Sequence, residues 1–188
     1  MPSAVSLRVS ALAVLSLVPA GCAEDSATET RTVTVRETVM RPSLVAPQPG
    51  LPRAVAAKRQ AIALAAQTED YEALATLVDQ NEFEYTFGGP VAGGPAAYWR
   101  QLEETTNERP LRILHAILQM PFTTERGVYV WPFAFNKDLK KLTEAERAIL
   151  RTIMTPRELR QMEQFGGYIG WRAGIRPDGR WIFFVAGD

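Results

Sequence analysis

Residues 168–188 read YIGWRAGIRPDGRWIFFVAGD, and this stretch decides the fold. Two apolar runs flank Pro177-Asp178-Gly179. Proline presets φ, aspartate supplies a side-chain acceptor, and glycine takes the positive φ of a tight reversal, so a β-hairpin is expected here. Alternation places Ile169, Trp171, Ala173 and Ile175 on one face, matched on the returning strand by Trp181, Phe183 and Val185. Tyr168, Arg172, Arg176 and Arg180 fall on the other face.

Moving outward, Gly127–Phe135 (GVYVWPFAF) also alternates, with Tyr129, Trp131, Phe133 and Phe135 on one side. Pro132 has no N–H to give a ladder, so this strand lies at an edge or bends there. The aromatic side is read either as the core face of a sheet or as the lining of a ligand pocket. Glu82–Phe87 alternates as well, with Phe83, Tyr85 and Phe87 apolar against Glu82, Glu84 and Thr86, and is expected to be a strand with one wet face.

Helices fill the intervals. Arg53–Gln67 is alanine-rich, with Val55, Ile62 and Leu64 toward one side. Thr68 reads as the cap of a second helix carrying Tyr71, Leu74, Leu77 and Val78, with Glu69 and Asp70 suited to its N-terminus. The glycines of Gly88–Gly94 lack a following Lys-Ser or Lys-Thr and form no GxGxxG, so they mark a loop that ends at Gly94, with Pro95 opening a helix. Pro110 opens another, bearing Leu111, Leu114 and Leu118 around the sole histidine, His115, which reads as a packing residue. Two capping boxes follow, Thr143 with Glu146 and Thr155 with Glu158. The acids and bases around their apolar stripes read as solvated helix faces.

Residues 53–188 are thus expected to form one α+β domain, an antiparallel sheet of about four strands packed against about six helices and ending in a hairpin. The whole chain balances 21 basic against 21 acidic residues and has no basic run, which argues against nucleic acid as a partner. One cysteine and one histidine can make neither an internal disulfide nor a structural zinc site. No motif calls for a cofactor or a metal, and no GxSxG, HExxH, SxxK or calcium-loop pattern is present.

The N-terminus has a different character. Arg8 precedes an apolar run, Val9–Ala20, and small residues precede Cys22, the layout of a signal peptide over residues 1–21. The run is shorter than the roughly 20 residues of a membrane span. Val18-Pro19-Ala20-Gly21-Cys22 resembles a bacterial lipobox, although Pro19 stands where that pattern usually has an aliphatic residue. The resemblance implies a Cys22 carrying diacylglyceryl and further acyl chains such as palmitate, since a single chain gives only marginal membrane attachment. Ordinary cleavage after Ala20 or Ala23, or a retained anchor, are the alternatives; all three send the domain out of the cytoplasm. Residues 22–52 are rich in Thr, Glu, Arg and Pro, and are expected to be a disordered tether; a strand is the alternative reading of the Thr/Val alternation over residues 30–39. It is similar to the spacers that follow export signals in bacterial lipoproteins.

Two further resemblances concern the domain. Tyr129-Val-Trp-Pro132, with the hairpin from Tyr168 to Asp188, is similar to a set of uncharacterised exported bacterial proteins and implies no chemistry. Asp70-Tyr-Glu-Ala-Leu-Ala before an aromatic strand resembles the NTF2-like cone, a pocketed scaffold, although the helical insertion between strands departs from that pattern. The expected function is a lipid-anchored cell-envelope protein that binds an envelope ligand or protein through Tyr129, Trp131, Phe133, Tyr168 and Arg172. The alternatives are an envelope hydrolase using carboxylates such as Asp138, Asp178 and Asp188, or a purely structural role.

Overall fold

A computed structural model describes residues 45–79 and 81–187. The expected signal peptide, Cys22, the alternating segment 30–39 and Asp188 lie outside the described residues. Helices α1 (Arg53–Gln67), α2 (Tyr71–Leu77), α3 (Gly94–Thr106) and α4 (Pro110–Gln119) lead into strands β1 (Thr123–Glu125) and β2 (Val128–Trp131). Helices α5 (Glu144–Leu150) and α6 (Pro156–Phe165) follow, and β3 (Arg172–Ile175) and β4 (Trp181–Val185) close the chain. The strands form one antiparallel sheet in the order β1-β2-β3-β4. The fold is α+β and ends in a β-hairpin.

The helix starts follow their capping chemistry. Both capping boxes form, at Thr143 with Glu146 and at Thr155 with Glu158. Thr68, read as a cap for α2, instead closes α1 and donates its hydroxyl to Leu64 O at 3.1 Å. Asp70 is the true cap, accepting from Ala73 N at 2.8 Å, because Glu69 at φ +53 reverses the chain between the two helices. Helix α3 starts one residue earlier than read, with Gly93 at the cap.

The hairpin turn is built as the sequence requires. Arg176 N donates to Arg180 O at 2.8 Å, and Asp178 accepts from Arg180 N at 3.0 Å. Gly179 has φ +91, and a Cβ there would stand 3.0 Å from Ala54 O, so glycine both makes the turn and admits α1.

The facing of β4 differs from strict alternation. Gly174 pairs with Phe183 but Ile175 pairs with Trp181, so β4 carries one extra residue, Ile182. This bulge shifts the phase: Trp181 and Phe184 share the core face, while Phe183 turns to the opposite face and lies over Gly174.

Two other strand readings are corrected. Residues 82–87 form no sheet strand; the segment touches the outer edge of β4 by one bridge at Glu84, whose N donates to Ile182 O, and Asp79 N, just before the segment, donates to Trp181 O, both at 2.9 Å. Asp79 bends the chain just before it by accepting from Asn81 N at 2.9 Å and Glu82 N at 3.2 Å, and the contacts cover a sheet edge that would otherwise stand open. The fourth strand is instead β1, joined to β2 by Arg126-Gly127 with both φ positive, +49 and +80. Strand β2 stops at Trp131; Pro132 ends the ladder and residues Phe133–Asn136 make one turn of 3-10 helix.

Two apolar cores result. The first lies between α1–α4 and the sheet and contains Trp99, Trp131, Trp181 and Phe184, all fully buried. The second gathers Phe133, Leu139, Leu150, Leu159 and Tyr168 around α5 and α6. Ile153 packs against both.

The folded body also begins earlier than residue 53. Val45 is buried in the first core, and Gln48 donates to Met120 O at 2.6 Å while accepting from Trp131 Nε1 at 3.1 Å. Arg59, itself buried, donates Nη1 to Ala46 O at 2.9 Å and Nε to Leu118 O at 2.8 Å. The prolines here favour an extended chain, and an extended chain can lie on a surface as readily as it can serve as a tether.

A Cβ at Gly174 would fall 2.2 Å from the Phe183 ring. Gly174→Ala should therefore lose roughly 1–3 kcal/mol in urea denaturation, the usual cost of overpacking. Adding Phe183→Leu should recover part of that loss.

Candidate functional site

The five residues expected to form one ligand or partner surface do not come together. Tyr129 and Trp131 lie on the first core face, where Phe122 packs against both at ring distances of 5.5 and 5.8 Å. Trp131 is fully buried, with the Arg59 guanidinium 6.0 Å from its ring centre. Phe133, past the bend at Pro132, is buried in the second core, with Lys137 Nζ 5.5 Å from its ring. The aromatic stripe read from alternation is thus divided between two cores, because Pro132 ends the ladder that would have kept it in phase.

Arg172 stands elsewhere. Its guanidinium lies between Phe87 and Phe135, 5.6 and 5.5 Å from the ring centres, and Nη1 donates to Gly187 O at 2.6 Å. Phe87 is 54% exposed, so this face shows an arginine–aromatic stack to solvent. Gly187 N in turn donates to Ile169 O at 2.8 Å, and the end of β4 is held against the segment that leads into β3.

Of the five, Tyr168 lines a concavity. A cleft of about 160 Å³ opens where the two cores meet, between the start of α4, the α5–α6 turn, α6 and the entry to β3. Its apolar walls include Ile113, Ile153, Met154 and Met162, and its aromatic wall is Tyr168 and Trp171. Glu108 and Glu158 also line it. Glu158 is fixed by its cap, where its Oε2 accepts from Thr155 N at 2.6 Å, and Glu108 by the indole of Trp171, which donates to it at 3.2 Å. Trp171 stacks on Phe184, ring centres 4.6 Å apart, and this ties the cleft to the first core.

The buried Tyr168 hydroxyl donates to Trp171 O at 2.9 Å. Burial raises its pKa above the ordinary tyrosine value, with the nearby Arg172 charge pulling the other way. A Cβ on Gly170 would meet this hydroxyl at 2.7 Å, so glycine is what lets the ring reach across. The aromatic hairpin pointed toward this region. The meeting of Glu108 with Trp171, 63 residues apart, left no local signal.

The carboxylates that are displaced from their ordinary pKa are displaced downward. Lys137 holds Glu146 at about 2, helped by the Thr143 backbone; Lys141 lowers Asp138 and Arg180 lowers Asp178. These are ion-pair and cap partners, whereas a general acid in glycoside hydrolysis needs its pKa raised. His115 is half-buried, its pKa lowered by burial, with Nδ1 3.2 Å from Gln119 Nε2. Among the described residues no group of three or more His, Cys, Asp or Glu side chains is placed to hold a metal ion.

No protein-family model matches the chain, and comparison with curated proteins and with solved structures finds no match either.

In Tyr168→Phe the Trp171 carbonyl loses its donor, and stability at neutral pH should fall by about 1 kcal/mol. The sign of the alkaline effect follows from burial. An unfolded tyrosine ionises near pH 10.0 while folded Tyr168 stays neutral, so this group's contribution is intact below that pH and declines as pH rises above it. Denaturation between pH 8 and 11 should give a shallower alkaline decline for the variant than for the wild type.

Proposed function

We propose that the chain is an exported protein, anchored to the cell membrane by lipid on Cys22, and that its domain serves as a binding module facing away from the cytoplasm. The N-terminal sequence supports export: Arg8, the apolar run to Ala20, and small residues before the only cysteine. Among the described residues no helix is long and apolar enough to cross a membrane.

The observation that carries the binding role is the cleft at the meeting of the two cores, with apolar and aromatic walls and polar groups fixed at its edge. A hydrolase working through carboxylates is less well supported, since Asp138, Asp178 and Glu146 are each tied to a cation that favours the ionised form. The arginine–aromatic stack of Arg172, Phe87 and Phe135 is a second surface on which an envelope partner can rest.

The anchoring is tested in the native host by Cys22→Ala. The variant should lose its acyl mass and leave the membrane fraction as a soluble or unprocessed form. Unchanged fractionation, with no added mass on residue 22 of the wild type, would remove the lipid anchor from this reading.

A further inference from the structure

Charge and shape in the cleft specify its ligand further. Two of its lining residues, Glu108 and Glu158, are carboxylates, and its lining contains no lysine, arginine or histidine. Neither carboxylate has an ion-pair partner among the described residues; Glu108 accepts from the Trp171 indole and Glu158 from the Thr155 amide, both neutral donors. Among the cations of these elements, Arg109 pairs with Glu103 and Arg112 with Glu69; Arg172, whose charge reaches Tyr168, stacks between Phe87 and Phe135 and donates to Gly187 O, and Arg157 and Arg160 of α6 are not among the lining residues.

The remaining wall is soft and apolar. Met154 and Met162 offer polarisable thioethers that adapt to an alkyl chain, and Trp171 adds an indole, the aromatic ring that attracts cations best. The volume of about 160 Å³ suits a ligand of few heavy atoms and is below the usual range for drug-sized ligands. An anion would meet two uncompensated carboxylates. Both carboxylates are exposed and hydrated, so a neutral alkyl group neither gains nor loses by their charge, and a cation alone gains Coulomb attraction from them.

We propose that this cleft binds a small organic cation, an alkylammonium group whose chain lies against Met154 and Met162 and whose charge faces Glu108, Glu158 and Trp171. The assignment rests on reading the cleft as the binding site and adds the chemical class of its ligand.

The test uses the protein with labelled methionine methyl groups and n-butylammonium as probe, with n-butanol and butyrate as neutral and anionic counterparts of similar size. Butylammonium should shift the Met154 and Met162 methyl signals and the Trp171 indole signal, saturating in the millimolar range as expected for so small a ligand. Butanol and butyrate should bind at least about fivefold more weakly, and added salt should weaken the cation selectively. Glu108→Gln with Glu158→Gln removes both charges while keeping an acceptor for the indole and a glutamine competent in a capping box, so the fold is retained. That variant should bind butylammonium roughly fivefold more weakly and butanol unchanged. If butanol or butyrate binds the same residues as well as the cation does, or the double variant binds butylammonium as well as the wild type, the cation assignment is overturned and the cleft stands as a site of another class. If none of the three shifts these signals, both the assignment and the cleft as a binding site fall.

Discussion

One extra residue in β4 governs how this domain is filled. With Ile182 unpaired, Trp181 and Phe184 point to the same side of the sheet, where strict alternation would have separated them. Both then meet Trp99 from α3, with ring centres 6.0 and 5.7 Å away. Phe83 closes on Trp181 at 4.8 Å from the segment covering the sheet edge. Each of these large aromatic side chains removes roughly 150–250 Å² from water, about 4–6 kcal/mol of transfer free energy before entropy is charged against it. The cluster joins α3, the edge segment and the hairpin into one body. Its cost is visible: the Trp99 indole N–H is buried without a partner among the described residues, at roughly 1–3 kcal/mol.

The same filling decides where function can sit. The first core is occupied by tryptophans, so the aromatic face of β2 is structural, and a cleft lies where the second core meets the first. Arg59 strengthens this division from the other end. Its buried guanidinium holds the carbonyls of Ala46 and Leu118 and draws residues 45–48 onto α1 and α4. On a lipid-anchored reading of the chain, residues 45–48 therefore belong to the folded body and not to the tether.

Much of the architecture was legible because it rests on local chemistry. Caps, prolines and alanine-rich turns marked the six helices, and Pro-Asp-Gly marked the hairpin. What could not be read was phase. A period of two has no means of registering one added residue, so Phe183 was placed in the core and Phe184 outside it. Pro132 marked an edge or a bend, but where the chain goes after a bend depends on Phe133 N finding Pro121 O, a contact 12 residues back. Strand β1 is three polar residues whose one signal is the following Arg126-Gly127 turn. The cleft was the least legible feature, since Glu108, Met162 and Trp171 meet only when both cores are formed.

The central claim is that the interior is closed and that solvent reaches the protein's tryptophans only at the cleft. Of the four tryptophans, Trp99, Trp131 and Trp181 are fully buried and Trp171 is partly exposed. Fluorescence quenching by caesium ion, compared between the wild type and Trp171→Phe, tests this directly. The account predicts that the quenchable emission disappears with Trp171 while the remaining emission stays protected. Persistent quenching in the variant, with the fold intact by circular dichroism, would mean that a core tryptophan is open to water and would contradict it.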